Sequence, residues 1–527
     1  MDFDKIRGNV GFFLGLIVFI TILLIPIPKA FTDYASQKLG SDSLTPEVLR
    51  LSYSMKVTFA LMLLMVIWWI SEAVPIPVTS LLPGVILPLF HAYGFHDGKF
   101  IELNGKNVFI NYANPIIFLF LAGFLIAGAM QKWGLDRRIA LWILTRGNIA
   151  KSPNKILFGL IVATAFISMW VSNTATTAMM LPIGLGILNK LNVDLNSKFG
   201  KSIMLGIAFA SSIGGVGTII GTPPNGIAVS ILAKEGIAHI SFLEWMMFGV
   251  PFVVLALPIL WFVLKIVFKS DVSFGDEIKE TLLYEKSNLG KLSKPEKLTL
   301  FGFSLTVFLW VTNPLWKFIP FVGERLEWFD EYLIAVFGSM ILFTLPVDLS
   351  KRKFVLDWGD SKYVDWGTLL LFGGGIALSD ALFKTGLADV ISSEFVKFFG
   401  HPSPVFLVFI IVIFMELLTE ITSNTAVTSM MVPILISICS ELDINPTFLV
   451  LPATIAASMA FMLPVATPPN AIVYGSRYVT LKDMLKAGVV LDVVMWIYIF
   501  LFFYIIFTLN LSGNFSAFLL QTTLLLK

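Results

Sequence analysis

Two stretches of the chain pair the same polar triplet with the same apolar continuation. Residues 172–182 read SNTATTAMMLP and residues 423–433 read SNTAVTSMMVP, identical at eight of eleven positions and offset by 251 residues in a chain of 527. Ser172, Asn173 and Thr174, like Ser423, Asn424 and Thr425, are hydroxyl and amide side chains set in apolar sequence. Such residues cap helix N-termini, because their oxygens accept from the free backbone N–H groups of the first turn. A break of this kind inside a membrane ends one half-helix and starts another. The starting end offers N–H donors and the positive end of the helix dipole to an anion. The ending half offers carbonyl oxygens to a hard cation such as Na⁺. The triplets carry no Lys or Arg, so a bound carboxylate has only hydroxyls, amides and helix ends to hold it. Cations must balance its charge, and cation and substrate binding are then thermodynamically coupled.

Each triplet is followed by a second interruption. Thr222-Pro223-Pro224-Asn225 recurs as Thr467-Pro468-Pro469-Asn470, offset by 245. Its prolines cannot donate to a helix ladder, and its Asn is free to cap or ligate. Each triplet is preceded by a Gly-rich apolar stretch, residues 111–134 and 367–386, which align Gly134 with Gly386 and Lys132 with Lys384 at an offset of 252. The first of these is short and Gly/Ala-rich for a simple span and reads as a re-entrant hairpin, which is permitted only where protein surrounds it. A lone SNT reads rather as polar glue between membrane helices. Three features in one order at nearly one offset point instead to an internal duplication with a ligand site at the interruptions. Met179, Met180, Met430 and Met431 read as adaptable packing. Glu416 and Glu420 share a helix face just before the second triplet; Glu420 fits either a proton or cation carrier or a buried structural acceptor.

The elements that must position these motifs are membrane helices. The chain is 57% hydrophobic and only 14% charged, about half the charge of soluble domains, and Val10–Ile27, Val57–Ile70, Phe248–Leu264 and Val493–Leu509 approach or reach spanning length. The length allows roughly 10–12 spans. The N-terminal run reads as a transmembrane helix rather than a cleaved signal, because Asp2 and Asp4 dilute its positive flank and no small-residue cleavage site follows Ile27. Glu72, in WWISEAVPIPVTSLLP (68–83), marks an interfacial turn, a helix end or a buried charge. Residues 1–54 form an N-terminal helix and loop, 55–268 the first repeat, 269–297 a charged solvated linker, 298–510 the second repeat and 511–527 a tail without pattern.

Charge bears on orientation and on what is excluded. Residues 131–155 carry six Lys or Arg against one Asp, whereas 383–404 are balanced. The positive-inside rule places the first segment in the cytoplasm and leaves the second free, which favours inverted repeats. A net charge of +2 leaves no nucleic-acid footprint. One cysteine and four histidines without ligand spacing argue against a membrane enzyme or zinc protease.

SNTATTAMMLP, SNTAVTSMMVP, both TPPN segments and WWISEAVPIPVTSLLP together resemble the divalent anion/sodium symporter family, over about residues 55–510. That family includes sodium–dicarboxylate and sodium–citrate cotransporters. The resemblance implies an all-α polytopic protein of the cell (inner or plasma) membrane with about 11 transmembrane helices and two re-entrant hairpins in inverted repeats. It implies a homodimer whose transport domain moves like an elevator. Ser172, Asn173, Thr174, Ser423, Asn424 and Thr425 would contact substrate carboxylates, with Thr222-Pro223 and Thr467-Pro468 closing the site. One sodium site would use Ser168, Ser172, Asn173 and Gly221. The other would use Thr419, Ser423, Asn424 and the carbonyl of Ala466. The implied activity is Na⁺-coupled import of C4-dicarboxylates such as succinate, malate or fumarate, with no organic cofactor. The alternatives are a sodium-independent dicarboxylate/2-oxoglutarate exchanger, or a citrate or sulfate symporter. A channel needs no paired ion sites.

Overall fold

The computed structural model describes residues 3–273, 277–316, 318–319, 325–326 and 328–509. Asp276 of the linker and the tail 511–527 lie outside the described residues. The regular secondary structure of the described residues is helical apart from two short antiparallel pairs, Tyr93–His96 with Lys99–Glu102 and Pro346–Asp348 with Lys353–Phe354. Eight described helices are long and apolar enough to cross a membrane, among them Lys5–Leu24 and Pro46–Ser71, which pack together. Further apolar helices are shorter, including Pro153–Ser168 and Thr447–Ala456. These two are the segments cut short by the polar motifs, since each ends where backbone pairing is interrupted.

The duplication is visible as a repeated order of elements. A long helix bends at a glycine into a shorter amphipathic one: Pro115–Lys132, Gly134, Leu135–Leu144 in the first half, and Trp366–Thr385, Gly386, Leu387–Phe399 in the second. Both glycines take positive φ, 68° and 80°, which a side chain would make strained. Then come two helices flanking the SNT triplet, Pro153–Ser168 with Asn173–Lys190 and Pro404–Ile421 with Asn424–Glu441. A broken pair flanks each TPPN, Lys198–Gly215 with Pro223–Lys234 and Thr447–Ala456 with Pro468–Tyr474. A long apolar helix closes each half, Phe242–Val267 and Leu481–Leu509.

The expected hairpins at 111–134 and 367–386 are not there, because each stretch holds one uninterrupted helix. Their glycines serve close packing instead of turning. Gly123 faces Ile220 and Gly128 lies against the ring of Tyr363. Gly373 faces Tyr112, Gly374 the Ser80 backbone and Gly375 the Ser429 side chain. Small residues let membrane helices approach this closely. Glu72 ends helix Pro46–Ser71 in the left-handed region and pairs with Arg7 at 3.0 Å, so the helix-end reading is the one observed.

The chain divides into two compact units that do not follow the sequence halves. One comprises Met1–Ile117, Gly226–His239 and Trp366–Ala457; the other comprises Phe118–Asn225, Ile240–Asp365 and Ser458–Lys527. Each takes segments from both repeats. Within the second unit the charged stretch is not merely solvated. Glu277–Asn288 is a helix with Ile278 and Leu282 buried. Arg138 binds Glu296 at 2.7 Å and the carbonyls of Leu289 and Gly290. Asp271 accepts from the Ser197 hydroxyl and the N–H groups of Lys198 and Phe199 at the start of Lys198–Gly215. Burial raises its carboxyl, but these donors outweigh that and hold it below the usual carboxylate range.

Candidate functional site

In the second unit the SNT triplet lies at the tip of a helical hairpin. Gly206 faces Leu157 and Ile161, and Gly214 backs onto Ala165, so helix Pro153–Ser168 runs alongside Lys198–Gly215 in the same direction. Thr177 bonds Ser211 at 2.8 Å, and Gly184 faces Ile203, Met204 and Ile207, so Asn173–Lys190 runs the opposite way. The two flanking helices are therefore antiparallel, with residues 169–172 as the turn. The hairpin of this half is the SNT segment itself rather than the Gly-rich stretch before it.

Local chemistry explains the tip. Ser172 caps helix Asn173–Lys190 by accepting from the Ala175 N–H at 3.3 Å. Asn173 turns its amide oxygen Oδ1 to the Ser168 hydroxyl at 2.8 Å, and that hydroxyl is also 2.7 Å from the Ser211 carbonyl. A hydroxyl has one proton to give. With the amide oxygen in this orientation, three oxygens meet around a single hydrogen. Gly215 and Gly221 approach the same point. A methyl on Gly215 would overlap Asn173 Oδ1 and lie 3.1 Å from the Gly221 carbonyl, while one on Gly221 would overlap the Gly215 carbonyl. Only glycine permits that approach.

The TPPN loop is clamped onto this cluster. Asn225, fully buried, donates its Nδ2 to the carbonyls of Gly215 at 3.1 Å and Thr218 at 2.8 Å. Thr218 donates its hydroxyl to the Met169 carbonyl at the hairpin tip. Thr222 is buried beside this loop, and Pro223 opens the next helix. Asn225 Oδ1 is buried with no hydrogen-bond partner among the described residues.

The first unit repeats the arrangement. Thr419 Oγ1 lies 2.6 Å from Asn424 Oδ1 and 2.7 Å from the Ala457 carbonyl, again three oxygens around one proton. Ser423 precedes helix Asn424–Glu441 but makes no capping bond, unlike Ser172. Thr425 is buried, whereas Thr174 is exposed. Glu416 and Glu420 are buried on Pro404–Ile421, where the i, i+4 spacing placed them.

Ala466, Thr467 and Pro468 fall in the second unit. Thr467 caps helix Pro468–Tyr474 through the Asn470 N–H at 3.4 Å. That helix packs against Asn173–Lys190 and Lys198–Gly215. Asn470 repeats Asn225: it is fully buried, donates to the carbonyls of Ala460 and Leu463 at 3.0 Å, and leaves Oδ1 without a partner among the described residues. The structure thus gathers Ser168, Ser172, Asn173, Gly221 and Thr222 in one unit, and Thr419, Ser423 and Asn424 in the other. The carbonyl beside Thr419 is that of Ala457, a residue the sequence did not single out. Ser211, Gly215 and Thr218 were also missed as site residues. Backbone carbonyls leave no side-chain signature, and only the glycines in SSIGGVGTIIG hint at a close approach.

Paired helix interruptions presenting neutral oxygens, among helices long enough to cross a membrane, suit the binding of small ions within a polytopic membrane protein. The family described as the sodium:sulfate symporter transmembrane region matches residues 43–510, and the chain belongs to it. The chain is 38% identical over 493 residues to the sodium-dependent dicarboxylate transporter SdcS of Staphylococcus saprophyticus, covering 91% of this chain and 87% of that one. It is 40% identical over 459 residues to SdcS of Staphylococcus aureus strain MRSA252, covering 84% of each. The fold is also that of the YdaH transporter of Alcanivorax borkumensis, with a TM-score of 0.53 and 12% identity over 84% of this chain and 97% of that one.

Proposed function

We propose that the protein imports C4-dicarboxylates such as succinate, malate and fumarate across the plasma membrane in symport with Na⁺. The observation that carries this reading is the oxygen cluster at each SNT tip, Ser168–Asn173–Ser211 and Thr419–Asn424–Ala457. Oxygens short of protons repel one another, and a hard cation relieves that repulsion. In each cluster the amide oxygen belongs to the Asn that opens the following helix, so a cation there fixes the helix end whose N–H groups face the anion. The dicarboxylate meets no fixed positive charge in the motifs until Na⁺ arrives, which makes the two binding events mutually dependent. Two Na⁺ neutralise a dianion. A third makes uptake electrogenic, and the membrane potential then contributes about 2.3 kcal/mol per 100 mV. A homodimeric assembly and elevator movement of the site belong to this proposal, as does contact of Ser172, Asn173, Thr174, Ser423, Asn424 and Thr425 with the substrate.

The test is uptake of labelled succinate into empty proteoliposomes with Na⁺, K⁺ or choline outside and no substrate inside. Uptake only with Na⁺ is expected. Equal uptake with all three cations ends the symport reading, and a requirement for internal dicarboxylate makes the protein an exchanger. Competition by unlabelled fumarate, citrate and sulfate ranks the substrates, with fumarate expected to compete best.

A further inference from the structure

Away from the SNT site, an apolar groove of about 620 Å³ runs along helix Phe242–Val267 where it packs against Leu481–Leu509. Pro258, Trp261, Phe262, Ile266, Val490 and Val494 line it. The indole N–H of Trp261 is the one polar group on these side chains, and it is already donated to the Asn154 carbonyl at 2.8 Å. The groove therefore suits a hydrocarbon chain and offers little to a polar ligand. Phe262 and Ile266 are more than half exposed, which opens it sideways to the bilayer.

One end of the groove is basic. There, helix Phe242–Val267 stops and helix Leu481–Leu509 begins. Lys265 lies one turn beyond Trp261, with Nζ 4.9 Å from the centre of that ring. Lys486 lies one turn before Val490, with Nζ 5.9 Å from the Phe268 ring. Lys269 follows two residues after the helix end. None of the three has an ion-pair partner among the described residues. The nearby carboxylates are engaged elsewhere: Asp271 caps helix Lys198–Gly215, and Asp483 pairs with Lys201 at 2.9 Å.

We infer that this groove seats an anionic glycerophospholipid, one acyl chain lying along Trp261, Phe262 and Val494 and the headgroup phosphate held among Lys265, Lys269 and Lys486. The charge pattern selects this occupant, because an apolar slot with a triple cationic mouth matches an acyl chain ending in a phosphate. The mouth leads into the charged linker, which Arg137 and Arg138 bind from the basic segment that the positive-inside rule places in the cytoplasm. The lipid belongs to that leaflet.

Native mass spectrometry of the purified full chain, given equal phosphatidylglycerol and phosphatidylcholine of the same acyl length, tests this. Three lysines at about fivefold each predict retention of phosphatidylglycerol over phosphatidylcholine by tenfold or more. The variant Lys265→Gln/Lys269→Gln/Lys486→Gln should lose that preference while still binding phosphatidylcholine, and Val490→Trp should reduce binding of both. The lysines are on the surface, so the triple variant keeps the fold, which size-exclusion chromatography checks. Equal retention of the two lipids by the natural protein, or an unchanged preference in the triple variant, overturns the inference.

Discussion

Replacing Gly215 by alanine asks whether the oxygen cluster of the second unit binds the coupling cation. The added methyl would overlap Asn173 Oδ1 and sit 3.1 Å from the Gly221 carbonyl. Neither neighbour yields cheaply. The Gly221 carbonyl belongs to a loop pinned by Asn225 and Thr218, and Asn173 is the first residue of its helix. The amide must swing out and abandon the point it shares with Ser168 and Ser211. Overpacking of this kind costs about 1–3 kcal/mol. If that cost falls on the cation-binding geometry, the Na⁺ concentration for half-maximal uptake rises about 5- to 150-fold. The assay is a Na⁺ titration of succinate uptake in proteoliposomes. Gly206→Ala, on the same helix, is the control. Its methyl would meet only side-chain carbons, Leu157 at 3.0 Å, Ile161 at 3.4 Å and Leu264 at 3.5 Å, and the flexible end of Leu157 can turn aside. Gly215→Ala protein that elutes normally and keeps half-saturation within about twofold of the natural value refutes the reasoning. An equal rise in Gly206→Ala also refutes it, since the effect would then be general loosening of the helix.

Thr419→Ser should preserve the Na⁺ dependence, while Thr419→Ala removes one oxygen from the first unit's cluster and should raise half-saturation about tenfold, or about 1.4 kcal/mol. Both follow from the same titration. Asp271→Asn should cost about 0.5–1 kcal/mol, at the low end for a helix cap because the carboxylate is exposed, read as a fall in apparent melting temperature. The native carboxyl is held low, so its stabilisation is complete above the ordinary Asp value of about 3.9 and is lost as pH falls through the native value. The gap between natural protein and variant should therefore hold from neutral pH down to about 4 and close below it. Arg138→Gln removes the bonds to Glu296, Leu289 and Gly290. At about 3 kcal/mol for a broken, mostly buried pair, local opening of the linker should rise about 100-fold, visible as faster limited proteolysis between residues 277 and 297.

The sequence carried much of this. The two SNT triplets announced helix starts, because the capping chemistry of Ser, Asn and Thr is local and survives any tertiary context. Gly134 and Gly386, aligned by offset alone, proved to be the same left-handed bend in both halves. The hairpins were misplaced for a definite reason. In an apolar helix a glycine that turns the chain and a glycine that admits a neighbouring ring look alike, and Gly128 against Tyr363 is the second kind. The turn lay at Ser172, where the polar residues already were. Ser211 and Ala457 were invisible, because they act through carbonyls that every residue possesses. Which of several carbonyls reaches Thr419 depends on how two distant helices pack, and periodicity does not report that.

The interleaving of the two units bears on how the protein is made. The Phe209 and Phe461 rings lie tilted with centroids 4.9 Å apart, Lys201 pairs with Asp483, and the Tyr478 hydroxyl donates to the Val193 carbonyl. Each of these contacts joins the first half of the chain to its last quarter within a single unit. When the ribosome has finished the first repeat, helix Pro468–Tyr474, which packs against Asn173–Lys190 and Lys198–Gly215, is still to come. The nascent chain must hold half-built polar interruptions in the bilayer until the final segments arrive. Assembly of this kind is slow, since closing so long a loop costs entropy before the contacts it forms can offset it. A protein severed in the linker yields two fragments, neither of which contains a whole compact unit. Co-expression of the two fragments, rather than either alone, should be needed to recover folded protein.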